Sequence, residues 1–184
     1  MTVFDHASPV LDQSKCRLVG TGAALLQGVQ LPTRDVDLLM KERENVDTLD
    51  SALSSFECLT PPTYLSEAKQ YYANYKVNGV EVGISTVEWE TDSDGIECFG
   101  RGPWEHYVLI PCGPYTVPTV TLELRLVSEL LRDRPDRYTP LIEHMRAHGC
   151  DIELVRRGMA ARGFSQDVQR EYLDRLKGSS GSVR

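Results

Sequence analysis

The sequence predicts an α/β (α+β) protein: a mixed sheet of about five strands flanked by helices, followed by a helical C-terminal portion. Three observations predict it. Arg17 to Met40 reads strand, glycine turn, short helix, polar loop, strand. Tyr71 to Val87 is a pair of strand-like segments joined by Asn78-Gly79, a strong hairpin signal. From Val120 onward the apolar spacing is helical. These divide the chain into an α/β domain over 1–118, a helical portion over 119–177 and a Gly/Ser tail over 178–184 expected to be disordered.

The first segment carries the most chemistry. Arg17-Leu18-Val19 is a short apolar strand that runs into Gly20-Thr21-Gly22, and Ala23 to Val29 offers good helix formers. Leu31 to Arg34 is a loop, and Asp35 to Met40 returns as a strand. Side chains alternate faces along a strand, so Asp35 and Asp37 share one face, with Cα atoms about 6.6 Å apart. Both carboxylates can then reach one divalent ion, or bridge two ions. The glycines permit a tight turn and let a ligand approach the backbone, and the N–H groups of the helix beginning near Thr21 favour phosphate. A phosphate-binding turn beside paired carboxylates suits a nucleoside triphosphate with its metal ion. Another reading, a dinucleotide-binding turn, needs Gly-x-Gly-x-x-Gly; here Leu25 stands in the third glycine's place and the acidic pair comes too early. Other α/β nucleotide binders share a lone Gly-x-Gly.

Gly20-Thr21-Gly22, a short helix and Asp35-Val36-Asp37 together resemble the signature of the polymerase-β-like nucleotidyltransferase superfamily. Leu31-Pro32-Thr33-Arg34-Asp35 is similar to the loop before the Asp pair in its minimal bacterial members, the branch that includes abortive-infection toxins. The resemblance implies transfer of a nucleoside monophosphate from an NTP to an acceptor hydroxyl, with pyrophosphate leaving. It implies Mg²⁺ or Mn²⁺ on Asp35 and Asp37, and nucleotide contacts from Gly20, Thr21, Gly22 and Arg34. It makes residues 1–118 the nucleotidyltransferase-like domain.

The family also carries a third carboxylate on a neighbouring strand. In Val80-Glu81-Val82-Gly83-Ile84-Ser85 that position is Gly83. Glu81 lies two residues earlier on the same face and is the candidate third acid and general base; it also fits a solvated strand residue. Gly83 leaves open a degenerate nucleotide-binding or regulatory protein without turnover, or a scaffold that only binds a partner.

The remaining elements follow in order. Val10-Leu11 reads as a short helical turn. Val46 to Phe56 carries a helical stripe with Asn45 as N-cap. Leu59 to Leu65 reads as a Pro/Thr loop, and Trp89 to Trp104 as a long acidic loop. Trp104 and Tyr107 could stack on a base or simply pack. Tyr107 to Ile110 and Tyr115 to Val117 are short strands. Helices span Thr121 to Arg132, broken by Pro135, then Tyr138 to His148, Asp151 to Ala161 and Ser165 to Leu176. The first of these and the turn after it resemble the family's helical tail. Its basic candidates here are Arg125, Arg132, Arg134 and Arg137, each of which also fits a solvated helix face.

Composition bounds the partners. The 184 residues are 41% apolar and 26% charged, with formal net charge −7. That acidity argues against extensive nucleic-acid binding, which needs a basic face. No stretch matches a membrane span, and Met1 to His6 lacks the basic and long apolar regions of a signal peptide, so the cytoplasm is expected. Cys16, Cys58, Cys98, Cys112 and Cys150 are odd in number, widely spaced and without Cys-x-x-Cys, which fits buried free thiols better than zinc or disulfides.

Overall fold

The computed structural model describes residues 2–8, 10–89 and 97–178. Seven strands form one mixed sheet in the order β3-β4-β5-β2-β1-β7-β6. The two strands of the glycine-turn segment, β1 (Cys16–Val19) and β2 (Asp35–Met40), are its centre and pair antiparallel, Val19 opposite Asp37. The short helix α2 (Gly20–Leu26) joins them, starting at Gly20, one residue before the expected Thr21.

The hairpin lies beside β2. Strands β4 (Gln70–Val77) and β5 (Val80–Val87) pair antiparallel through a two-residue turn in which Asn78 and Gly79 have φ of 52° and 84°. Positive φ at both positions suits a turn whose twist matches the strands. β5 then runs parallel to β2. On the other flank, β7 (Tyr115–Val120) runs parallel to β1 and pairs antiparallel with β6 (Tyr107–Cys112).

The sheet has seven strands instead of about five, and the clearest difference is β3 (Glu57–Leu65), the segment read as a Pro/Thr loop. It pairs with β4 along the sheet's edge, and its register shifts between Cys58 and Thr60 and between Thr60 and Thr63, around Pro61 and Pro62. Proline lacks a ladder donor, which an edge strand tolerates and a central strand does not.

Helices cover the sheet and extend it. α1 (Thr2–Ala7) precedes a 3-10 turn over Gln13–Lys15, where only Val10-Leu11 was expected to be helical. α3 (Arg43–Ala52) begins two residues before the expected Asn45 cap; Glu42 precedes it and no side chain caps it. α4 (Gly102–Glu105) closes the described part of the long loop, whose residues 90–96 lie outside the described set. α5 (Leu122–Leu131) ends before Pro135. That proline is the first residue of α6 (Pro135–His148), a position where its missing N–H is not needed. Asp151 and Ser165 accept from Leu154 and Val168 N–H to cap α7 (Ile152–Ala161) and α8 (Gln166–Lys177), as their residue types predict. Residues 179–184 of the expected tail lie outside the described residues.

Two apolar clusters meet at α2. Ala23 belongs to the sheet cluster with Leu18, Leu38, Val82 and Ile84, and Ala24 to the helical cluster with Leu126, Leu141, Met145 and Met159. α2, and with it the glycine turn, is packed from both sides. Among the described residues no helix is long and apolar enough to cross a membrane. All five cysteines are free, but only Cys16 is buried and Cys58 is exposed.

Candidate active site

Val19 and Leu18 are buried at the end of β1, which fixes where Gly20 begins. Gly20 has φ +68°, a conformation that side chains disfavour, and no side chain caps the helix it starts. The next strand brings Asp37 against it. A Cβ at residue 20 would lie 3.3 Å from Asp37 Cγ and closer still to Oδ2. Thr33 Oγ1 donates to the Asp35 carbonyl at 2.9 Å and shapes the loop that leads into β2.

These residues line a cleft of about 520 Å³. Gly20, Thr21, Arg34, Asp35 and Asp37 of the sequence-derived site lie on its wall; Gly22 and Glu81 do not. Gly22 sits inside α2, where a Cβ would make ordinary contact with Leu18 Cδ1 at 3.7 Å. That placement lends no support to a phosphate contact from Gly22. Asp35 is exposed and Asp37 half-buried. Burial, then the charges of Asp35 and Glu97, push the Asp37 carboxyl up to about 6, against the pull of Arg125 and Arg132.

The register of β2 with β5 sets the third wall. Gly83 is opposite Asp37 and Glu81 opposite Asp35. Glu81 is exposed, and its Oε2 accepts from Asn74 Nδ2 at 3.4 Å. Above Gly83 lies Tyr72 of β4. A Cβ at 83 would be 3.2 Å from Asp37 Oδ1, 3.5 Å from Tyr72 Cε2 and 3.7 Å from the Tyr72 hydroxyl. Burial foremost, then the charges of Asp37, Glu81 and Asp35, raise the Tyr72 phenol above its ordinary value.

The cleft also has a basic lining. Arg34, Arg125, Arg132, Arg134 and Arg137 all line the cleft, so an acidic chain concentrates positive charge here. Arg137 Nη1 donates to Thr21 Oγ1 at 3.1 Å and to Pro32 O at 3.0 Å, tying α6 to the glycine turn. Arg125 is buried and donates to both Glu97 and Glu129. Glu97 is 1% exposed, lines the cleft, and its Oε2 has no hydrogen-bond partner among the described residues. Burial pushes its carboxyl up.

Tyr72 and Glu97 are absent from the sequence-derived site. Tyr72 was legible in principle: Asn78-Gly79 fixes the hairpin register, which puts Tyr72 opposite Ser85 and diagonal to Gly83. Glu97 carried no local signal. Trp104 and Tyr107 do not line this cleft; the Arg17 guanidinium lies 4.9 Å and 3.8 Å from their ring centroids, and Arg17 Nε donates to Pro103 O at 2.9 Å.

No family model matches the chain, and no curated protein matches it by sequence. Among solved structures it is similar to the crystal structure of a candidate nucleotidyltransferase from Thermotoga maritima, with TM-score 0.56 and 16% identity over 79% of this chain and 89% of that one. At that identity the likeness is one of fold: the chain has a nucleotidyltransferase-like fold.

Proposed function

We propose that the cleft transfers a nucleoside monophosphate from a nucleoside triphosphate to a hydroxyl acceptor with the help of Mg²⁺ or Mn²⁺. The observation that supports it best is the convergence of Asp35 and Asp37, the Gly20-Thr21 turn and five arginines on one cleft.

The donor set fits a hard divalent ion. Asp37 is held up by burial and by Asp35, a mutual repulsion that a cation would relieve. Among the described residues no group of three His, Cys, Asp or Glu side chains could hold a metal. Two carboxylates suffice for Mg²⁺, which keeps waters and takes phosphate oxygens. When bound, the ion would neutralise phosphate charge and stabilise the leaving pyrophosphate. The chain's own groups do the rest: Gly20 and Thr21 lie along the phosphates, Arg34, Arg132, Arg134 and Arg137 balance their charge, and Arg137 also braces the turn through Thr21. Glu81, across from Asp35, is the proposed base for the acceptor hydroxyl.

One observation favours a second reading, a nucleotide-binding or regulatory protein without turnover: glycine, not an acid, stands opposite Asp37. Saturating Mg-ATP or Mg-GTP should raise Tm under both readings, since a ligand at 100 times its Kd stabilises by about 2.7 kcal/mol. Pyrophosphate release separates them. A protein that keeps only the scaffold for a partner would show neither.

A further inference from the structure

Resting on that reading, we propose that the cleft contains its own acceptor: the chain transfers one nucleoside monophosphate to the hydroxyl of Tyr72.

Tyr72 lines the same cleft as Asp35, Asp37 and the glycine turn. Its hydroxyl is 3.7 Å and Asp37 Oδ1 is 3.2 Å from one point, the place of a Cβ on Gly83. The two oxygens are therefore no farther apart than those distances together. A Cβ at 83 would press on Asp37 Oδ1 and meet the Tyr72 ring in ordinary contact at 3.5 Å; glycine leaves that space between phenol and carboxylate open.

The hydroxyls of Tyr71, Tyr75 and Tyr115 each donate to an aspartate, namely Asp47, Asp50 and Asp5. Among the described residues the Tyr72 hydroxyl has no such partner. The cleft's other hydroxyls are worse placed. Thr21 accepts from Arg137 and Thr33 donates to the Asp35 carbonyl. Ser85 stands opposite Leu39, two residues beyond Asp37.

The chemistry balances with the triphosphate alone. The Tyr72 oxygen forms a bond to the α-phosphorus. The bond from that phosphorus to the oxygen bridging to the β-phosphate breaks, and its electron pair leaves with pyrophosphate. The phenol's proton passes through water to Glu81, the base proposed above. The product is a phosphodiester on the tyrosine that fills the cleft, so transfer stops at one nucleotide per chain.

The test is intact-mass spectrometry and peptide mapping of the full chain after incubation with Mg²⁺ and ATP, GTP, CTP or UTP in turn, with thermal shifts recorded alongside. The expected result is a gain of one nucleoside monophosphate on the peptide holding Tyr72. It should be absent in Tyr72→Phe, which keeps the ring, and in Asp35→Asn/Asp37→Asn, and retained in Tyr71→Phe. An adduct mapped to Ser85 or any other residue overturns the proposal. So does unmodified protein whose Tm rises with Mg-nucleotide, an outcome that leaves the binding reading standing. Neither adduct nor shift removes both.

Discussion

Asp37 occupies the space that a side chain on residue 20 would need: a Cβ there would lie 3.4 Å from Asp37 Cβ and 3.3 Å from its Cγ. The glycine turn and the acidic strand are thus one fitted unit. Gly20→Ala meets two obstacles, the φ of +68° and the carboxylate, and should destabilise by about 1–3 kcal/mol and abolish nucleotide binding. Gly22→Ala meets only ordinary contacts inside a helix, where Ala is favoured over Gly by about 1 kcal/mol. It should keep both stability and binding. Thermal melts and nucleotide titrations of the two variants check this contrast.

The raised Asp37 carboxyl predicts a pH-dependent cost. Its folded value, about 6, exceeds the ordinary 3.8, so its contribution is fully present below about pH 3.8 and lost as pH rises through 6. Without metal, Asp37→Asn should therefore be more stable than the wild type at pH 7.5, by about 1–2 kcal/mol or several degrees in Tm. The gap should close as pH falls below 5. A variant less stable than the wild type at pH 7.5 would show that Asp37 holds the fold together.

Arg125 should behave as a structural ion despite lining the cleft. Arg125→Met leaves Glu97 and Glu129 buried without their partner, a change that typically costs about 3–5 kcal/mol. Urea melts should show that loss. A cost below about 1 kcal/mol would mean that water or Arg134, 3.4 Å from Glu129, already satisfies the pair.

Glu81→Gln tests the proposed base. Pyrophosphate release should fall about 10²-fold or more while nucleotide affinity stays nearly unchanged. Release at the wild-type rate after the change would assign the proton elsewhere.

What the sequence revealed follows the range of the forces involved. The strand alternation of Asp35 and Asp37 and the hairpin at Asn78-Gly79 are local, and the sheet has both. β3 was hidden because Pro61 and Pro62 mask a strand except at an edge, and edge position is a property of the whole sheet. Arg137 was visible as a basic residue after a helix, but its bond to Thr21 spans 116 residues and depends on how α6 packs. Glu97 lines the cleft paired with Arg125, 28 residues away on α5. The parity that places Tyr72 beside Gly83 was within reach of the sequence and gained meaning only once β5 was known to run beside β2.

In the proposed function Asp35 and Asp37 hold a metal-bound nucleotide at the glycine turn. Calorimetric titration of the wild type and of Asp35→Asn/Asp37→Asn with ATP and GTP, with and without Mg²⁺, tests it most directly. Binding should require Mg²⁺ and disappear in the double variant, whose melt should show it folded. Equal binding by both proteins, or binding indifferent to Mg²⁺, would overturn that role for the two aspartates.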